Sequence, residues 1–416
     1  MEPSLEGAVA LAGRANGPLS AHLPAFVQSL IAQGYAVVCV RAKVWRAVAF
    51  DAWLKAQGVG LAEVHDAHVE AFVRRPYRPR SDCRASPRRH EPPAVRQLLR
   101  YLRAQGLCAV PTPAVTPAAD LAASFARHLR QQRGLAATTI GCYRTLARDF
   151  LAHCFGNDDI DLGAIRATDV IGFVRQAARR LRPGSLKMVV NGLRCFLHFA
   201  QYRGDINSAL LGAVPAVAAW TTTPSLPRAI SAEHAQRVIA SCDLRTAVGR
   251  RDRAVLLLLA RLGLRGGEVL ALLLEDIDWD AGLLRVRGKN GHQCLMPLPV
   301  DVGEAIAAYL RQGRPASLDR HVFLRTRAPH RCMLHGSDGI GSIVRNAIER
   351  AGVDTPHKGS HQFRHALAVG MLRDGASMPE IGELLRHRSQ LSTAIYAKVD
   401  LAALRPLAMP WPGSLS

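Results

Sequence analysis

The sequence predicts a mainly α protein, with helical-bundle units followed by a mixed α+β domain that holds one small antiparallel sheet. Three observations predict it. Apolar residues recur at three- and four-residue spacings through both halves of the chain. The first hundred or so residues recur loosely in the second hundred. Strand-like alternation is concentrated between Ile277 and Leu298.

Residues 1 to about 18 look weakly structured. Leu23, Phe26 and Leu30 then mark a helix that Gly34 ends. Val44, Val48, Phe50 and Trp53 mark a second amphipathic helix, Val37 to Leu54, and Val64 to Val73 a third. Residues 74–89 hold seven arginines and three prolines and read as a loop. It could track a DNA backbone or be a solvated linker. A fourth helix spans Ala94 to Gln105 and ends at Gly106.

The repeat aligns Phe26 with Phe125, Gly34 with Gly134 and Phe50 with Phe150. It then aligns Phe72 with Phe173, Tyr101 with Phe199 and Gly106 with Gly204. Two four-helix units in tandem would explain this order. In the second, a helix opens near Ala137, where Thr138 or Thr139 can cap it and donate to a phosphate. Thr139, Arg144, Lys187 and Arg194 are the candidate DNA contacts. Residues 214–229 are rich in Pro and Thr and read as the main linker. The expected division is 1–112, 118–215, a linker at 216–229 and a final domain at 230–416.

In that final domain Ser231 is a plausible cap, and Arg251 to Leu262 reads as a buried helix. Gly263 breaks it and Arg265 starts the next element, with Glu268 one turn on to hold the arginine. Leu283–Arg287 and Cys294–Leu298 read as a hairpin with Lys289 near its tip. Helices at about 302–312 and 340–351 lead to His361-Gln362-Phe363-Arg364-His365. On a helix, positions 361, 364 and 365 share one face.

The chain of 416 residues carries a net charge of +21, with arginine far in excess of lysine. That balance points to a polyanionic partner, most simply nucleic acid. The nine scattered cysteines include no CxxC pair, so neither a disulfide framework nor a zinc site is indicated, and reduced cytosolic thiols are expected. Acidic and basic residues interrupt the N-terminus, which does not read as a signal peptide, and no run of about 18 apolar residues suggests a membrane span.

Phosphodiester cleavage needs a nucleophile, cationic donors for the phosphorane and an acid for the leaving oxygen. Guanidinium suits the second need, because its fork matches phosphate oxygens and stays charged. Arg265 and Arg364 are the candidates, with Tyr396 as nucleophile. His361 and His365 have a zinc-pair spacing, but Gln362 stands where a metalloprotease needs Glu. No metal or other cofactor is expected.

The order Arg265, Lys289, His361-x-x-Arg364, His387, Tyr396 resembles the tyrosine recombinase (phage integrase) family, over roughly residues 120–410. The resemblance implies that the N-terminal helical units are SAM-like DNA clamps. It implies that Tyr396 attacks the scissile phosphate to give a 3′-phosphotyrosyl link, while Arg265 and Arg364 clamp its non-bridging oxygens. It makes Lys289 the donor to the leaving 5′ oxygen, His361 the proton acceptor and His387 a hydrogen-bond donor to the phosphate. His365, on the same face as His361, could share its work. The implied function is site-specific recombination of double-stranded DNA at inverted-repeat core sites by a homo-tetramer, with accessory recombinases, in a bacterial cytoplasm at the nucleoid. A mobile-element role fits the extra N-terminal unit. A type IB topoisomerase-like nicking-closing enzyme and a catalytically idle DNA-binding protein are the alternatives. The sequence departs from the family at Arg386, where glycine is most frequent. The apolar tail from Val399 to Trp411 could dock on a neighbouring protomer or on its own domain.

Overall fold

A computed structural model describes residues 5–75, 91–110, 116–156, 158–217, 229–288, 293–333, 339–355, 357–387 and 389–399. Lys289, most of the arginine-rich stretch, residues 218–228 of the expected linker and the tail from Leu401 lie outside them. The chain divides into two compact units, residues 112–225 and residues 1–111 with 226–416.

Residues 1–111 form α1 (Leu5–Ala12), α2 (Leu23–Ala32), α3 (Val37–Ala56), α4 (Asp66–Arg74) and α5 (Glu91–Ala104), with a 3₁₀ turn at Leu61–Glu63. The helix α1 corrects the expectation of weak structure there. It buries Ala8 and Ala12 against α3, a stripe too small and too alanine-rich to stand out in a hydropathy pattern. Buried Asp51 of α3 ties down the loop between α1 and α2, accepting the backbone N–H groups of Gly17 and Leu19 at 2.7 Å each. The core is built on Phe26, Val44, Phe50, Phe72 and Leu98.

The 112–225 unit contains α6 (Pro117–Gln131), α7 (Ala137–Phe155), α8 (Ala167–Ala178), α9 (Pro183–Tyr202) and the short α10 (Ala209–Gly212), with a 3₁₀ turn at Leu162–Ala164. Its internal geometry matches that of α2–α5. Phe50 meets Phe72 edge-on at 5.0 Å and 72°, and Phe150 meets Phe173 at 5.3 Å and 71°. Phe26 lies 5.3 Å from Tyr101, and Phe125 lies 5.3 Å from Phe199. Gly34 and Gly134 both end their helices with positive φ, +79° and +55°, a conformation that glycine adopts without a Cβ clash. Aromatic positions paired by sequence alone thus make equivalent contacts in the two bundles.

Residues 226–416 contain α11 (Ala232–Ala240), α12 (Ala247–Arg261), α13 (Gly266–Leu270), α14 (Val300–Gln312), α15 (Ile340–Arg350), α16 (His361–Arg373), α17 (Met378–Leu384) and α18 (Gln390–Thr393). A 3₁₀ turn follows at Tyr396–Val399. Val255–Leu259 are all buried because α12 is central, touching α11, α13, α14, α15 and α16. Three antiparallel strands, β1 (Ile277–Asp278), β2 (Leu283–Arg287) and β3 (Gln293–Pro297), lie in the order β1-β2-β3. Leu284 and Val286 face the core while Arg285 points out, the alternation expected of a half-buried strand. The last registered pair, Arg287 with Gln293, leaves residues 288–292 to connect the hairpin. Arg287, at the connecting end of the hairpin, makes a 2.7 Å ion pair with buried Asp276.

Candidate active site

Four segments distant in sequence supply the site, and Gly263 brings two of them together. Its φ of +57° turns the chain sharply after α12, and a Cβ there would sit 2.9 Å from Leu385 and 3.0 Å from Leu367. The tight approach puts the Gly263 carbonyl within reach of the Arg364 guanidinium. Arg364 is 3% exposed and also donates to the Leu385 carbonyl. One side chain therefore joins the end of α12, the start of α16 and the end of α17. Burial, then the charges of Arg265 and Arg386, lower its pKa to about 10, so it stays charged at neutral pH.

Arg265 caps α13 and is held as its position beside Glu268 suggested. Glu268 accepts the Arg265 backbone N–H at 2.9 Å and its Nη1 at 2.7 Å. Burial pushes the Glu268 carboxyl up, but the Arg265 backbone N–H and the Arg386 and Arg265 charges outweigh it and hold the pKa below normal. Arg265 keeps part of its guanidinium open to solvent.

Tyr396 is 1% exposed and lies among Ala368, Ile381 and Leu385. Its hydroxyl is 3.0 Å from Nδ1 of His365. His361 is solvent-exposed at the start of the same helix, its ring centroid 6.3 Å from that of His365. Burial raises the Tyr396 pKa, and the Arg364 and Arg265 charges offset this only in part. Burial lowers that of His365, with His361 and Arg364 adding to the effect. Crowding of the His361 ring by protein, then Arg364 and Arg265, lowers its pKa too. The two histidines are therefore neutral at neutral pH.

His387 stacks on Tyr396 at 6.4 Å and 5°, with Nδ1 2.8 Å from the hydroxyl of Thr393. Burial and the charges of Arg364, Arg265 and Arg386 lower its pKa to about 4. Arg265, Glu268, Arg364, His365, His387 and Tyr396 thus form one cluster, whereas Lys289 lies outside the described residues.

The candidate DNA contacts fare unevenly. Thr139 is half-buried, while Arg144 and Lys187 are exposed. The helix α7 starts at Ala137 with Ala136 as N-cap and no side-chain cap, so neither Thr138 nor Thr139 caps it. Arg194 turns inward instead of projecting to a ligand, donating to the carbonyls of Val214 and Pro215 at 3.3 Å each. Sequence reasoning missed Thr393 and the structural part played by Arg386, whose Nη2 reaches Glu268 at 2.9 Å. The departure of position 386 from glycine was the available signal, and Thr393 carried none.

Among the described residues no group of three or more His, Cys, Asp or Glu is placed to hold a metal ion, and no helix is long and apolar enough to cross a membrane. The sequence model of the phage integrase family matches residues 228–402. The chain is 46% identical over 407 residues to the integrase/recombinase y4rA of Sinorhizobium fredii, a match covering 97% of both chains. It is 31% identical over 302 residues to the tyrosine recombinase XerD of Mycobacterium tuberculosis, covering 69% of this chain and 94% of that one. Its fold is similar to that of the XerH site-specific recombinase in a post-cleavage complex with palindromic difH DNA, with a TM-score of 0.53 and 16% identity over 76% of this chain and 94% of that one.

Proposed function

The chain belongs to the phage integrase family of tyrosine recombinases, and from that premise we infer that it cuts and rejoins double-stranded DNA at specific sites through a 3′-phosphotyrosyl intermediate. The observation that carries this reading is the Tyr396 hydroxyl 3.0 Å from a histidine nitrogen, in a cluster with two anchored arginines.

In this mechanism the Tyr396 oxygen attacks phosphorus and its proton passes to Nδ1 of His365. We assign that proton to His365 and not to His361, because His365 makes the hydrogen bond. A scissile phosphate in the pocket raises the pKa of nearby histidines by its negative charge, which strengthens His365 as a base when substrate is present. Arg265 and Arg364 neutralise the non-bridging oxygens, and His387, oriented by Thr393, donates from its other nitrogen. Lys289, carried by the β2–β3 connection, protonates the departing 5′ oxygen. One phosphorus–oxygen bond forms as another breaks, so rejoining is the same step reversed and needs no external energy source.

The N-terminal bundle is, in this reading, a second copy of the core-binding unit at 118–215, and the matched aromatic pairs support that assignment. Both bundles would grip DNA flanking inverted-repeat core sites, and four protomers would synapse two sites, with accessory recombinases. A mobile-element role in the bacterial cytoplasm, at the nucleoid, fits this arrangement. A nicked suicide duplex carrying the inverted repeats that flank the gene tests the reading. Wild type is expected to form a covalent adduct and Tyr396→Phe none. No adduct with wild type, or equal adduct with the variant, overturns it.

A further inference from the structure

Arg386 has φ +54°, and it is the one non-glycine residue with positive φ among those described. An L side chain in this region crowds its own carbonyl, so the conformation persists only where surrounding contacts hold it. Backbone bonds at the end of α17 hold it, from the Arg386 N–H to the Glu383 carbonyl and from the His387 N–H to the Gly382 carbonyl at 2.9 Å each, and the side chain adds three contacts. Nη2 donates to Glu268 Oε2 at 2.9 Å, Nη1 donates to the Leu384 carbonyl at 3.1 Å, and Nη1 also touches the Met296 sulfur on β3. Nε is buried with no hydrogen-bond partner, and the side chain is 14% exposed.

The carboxylate that receives Arg386 is the one that orients Arg265. A lone Glu268–Arg265 pair would be neutral overall, leaving Arg364 as the main source of net positive charge for a phosphate. Two arginines on one carboxylate leave the cluster at net +1. Met296 belongs to the hairpin whose connection contains Lys289, and the residue after Arg386 is His387. The guanidinium therefore sits where three segments of the site meet.

We propose that Arg386 is a positioning residue for strand cleavage: by sharing Glu268 it fixes the guanidinium of Arg265 and adds to the positive charge offered to the phosphate. The proposal rests on the strand-cleavage reading above. It predicts an effect that passes through Glu268 and depends on the charge of the substrate, neither of which a purely structural residue would show.

The test uses the full chain and nicked duplexes carrying the inverted repeats that flank the gene. Arg386→Gly and Arg386→Asn both tolerate the left-handed backbone, so each removes the guanidinium while keeping the turn. Both should melt close to wild type yet form the Tyr396 adduct roughly ten- to a hundredfold more slowly. Arg386→Lys should recover part of the rate. In a Glu268→Gln background Arg386→Gly should add little further loss, since residues acting through one another are not additive. On a duplex with a neutral methylphosphonate at the scissile position, the gap between wild type and Arg386→Gly should close, because no anion then needs Arg265. Wild-type rates in both variants, equal losses with and without Glu268, or an unchanged gap on the neutral duplex would each overturn the proposal. Absence of any adduct with wild type would instead overturn the cleavage reading itself, and this inference with it.

Discussion

The hydroxyl of Tyr396 lies 3.0 Å from Nδ1 of His365, a residue 31 positions earlier in the chain. The bond reaches from the short turn after α18 back to the second turn of α16. It places a neutral imidazole against a phenol whose own pKa is raised by burial.

His365→Ala should therefore slow covalent adduct formation by about 10²–10⁴-fold, the range typical of a positioned general base. His361→Ala should cost distinctly less. Single-turnover cleavage of a nicked duplex compares them, and a larger loss at His361 would return the base assignment to that residue.

Glu268 holds two guanidiniums with a side chain that is 5% exposed. Replacing it with alanine leaves Arg386 buried without its counter-ion. Loss of one partner from a buried pair costs about 3–5 kcal/mol, and the low end applies because Arg265 is partly solvated. Glu268→Ala should lower the thermal midpoint and slow cleavage together, measured by calorimetry and by adduct rate.

Thr393 is 3% exposed and partners His387. Thr393→Val keeps the shape and removes the hydroxyl, so the ring loses its orienting partner. A decrease in cleavage of about tenfold is expected, corresponding to a hydrogen bond of about 1–1.5 kcal/mol. Thr393→Ser should restore it.

His387 titrates at about 4 in the folded protein against an ordinary 6.5. Its folded pKa is depressed, so between these values the unfolded chain binds more protons and stability rises with pH. Thermal midpoints should fall as pH is lowered from about 6.5 towards 4, and His387→Asn should flatten that part of the curve. An unchanged slope in the variant would refute this source of pH dependence.

The paired bundles predict paired energetics. Phe50→Ala and Phe150→Ala each remove a fully buried ring with an edge-on partner, so each should cost about 3–5 kcal/mol. Denaturant unfolding of the two variants should show similar losses in the transitions of their respective units.

Much of this molecule was legible in the chain itself. Helical periodicity and the hairpin depend on local spacing, and the repeat of aromatic and glycine positions near one hundred residues reflects two bundles with the same inner contacts. The residue types of the candidate site could be named from the chain as well, because phosphate chemistry calls for guanidinium, imidazole and phenol. The choice between His361 and His365 was not legible. Both lie on one face of α16, and only the packing of the Tyr396 turn over the helix brings the second within hydrogen-bond reach of the tyrosine. Arg194 was misplaced for a related reason, since its partners at Val214 and Pro215 come from a segment that folds back on α9. The bond from Arg386 to Glu268, which also holds Arg265, joins positions 118 residues apart. Such links depend on left-handed turns at Gly263 and Arg386 and on the rotation of α13, α16 and α17 about their axes. Sequence by itself determined which groups the site contains; tertiary structure decided which of them touch, because hydrogen bonding is short-ranged and the partners meet only after the helices have packed.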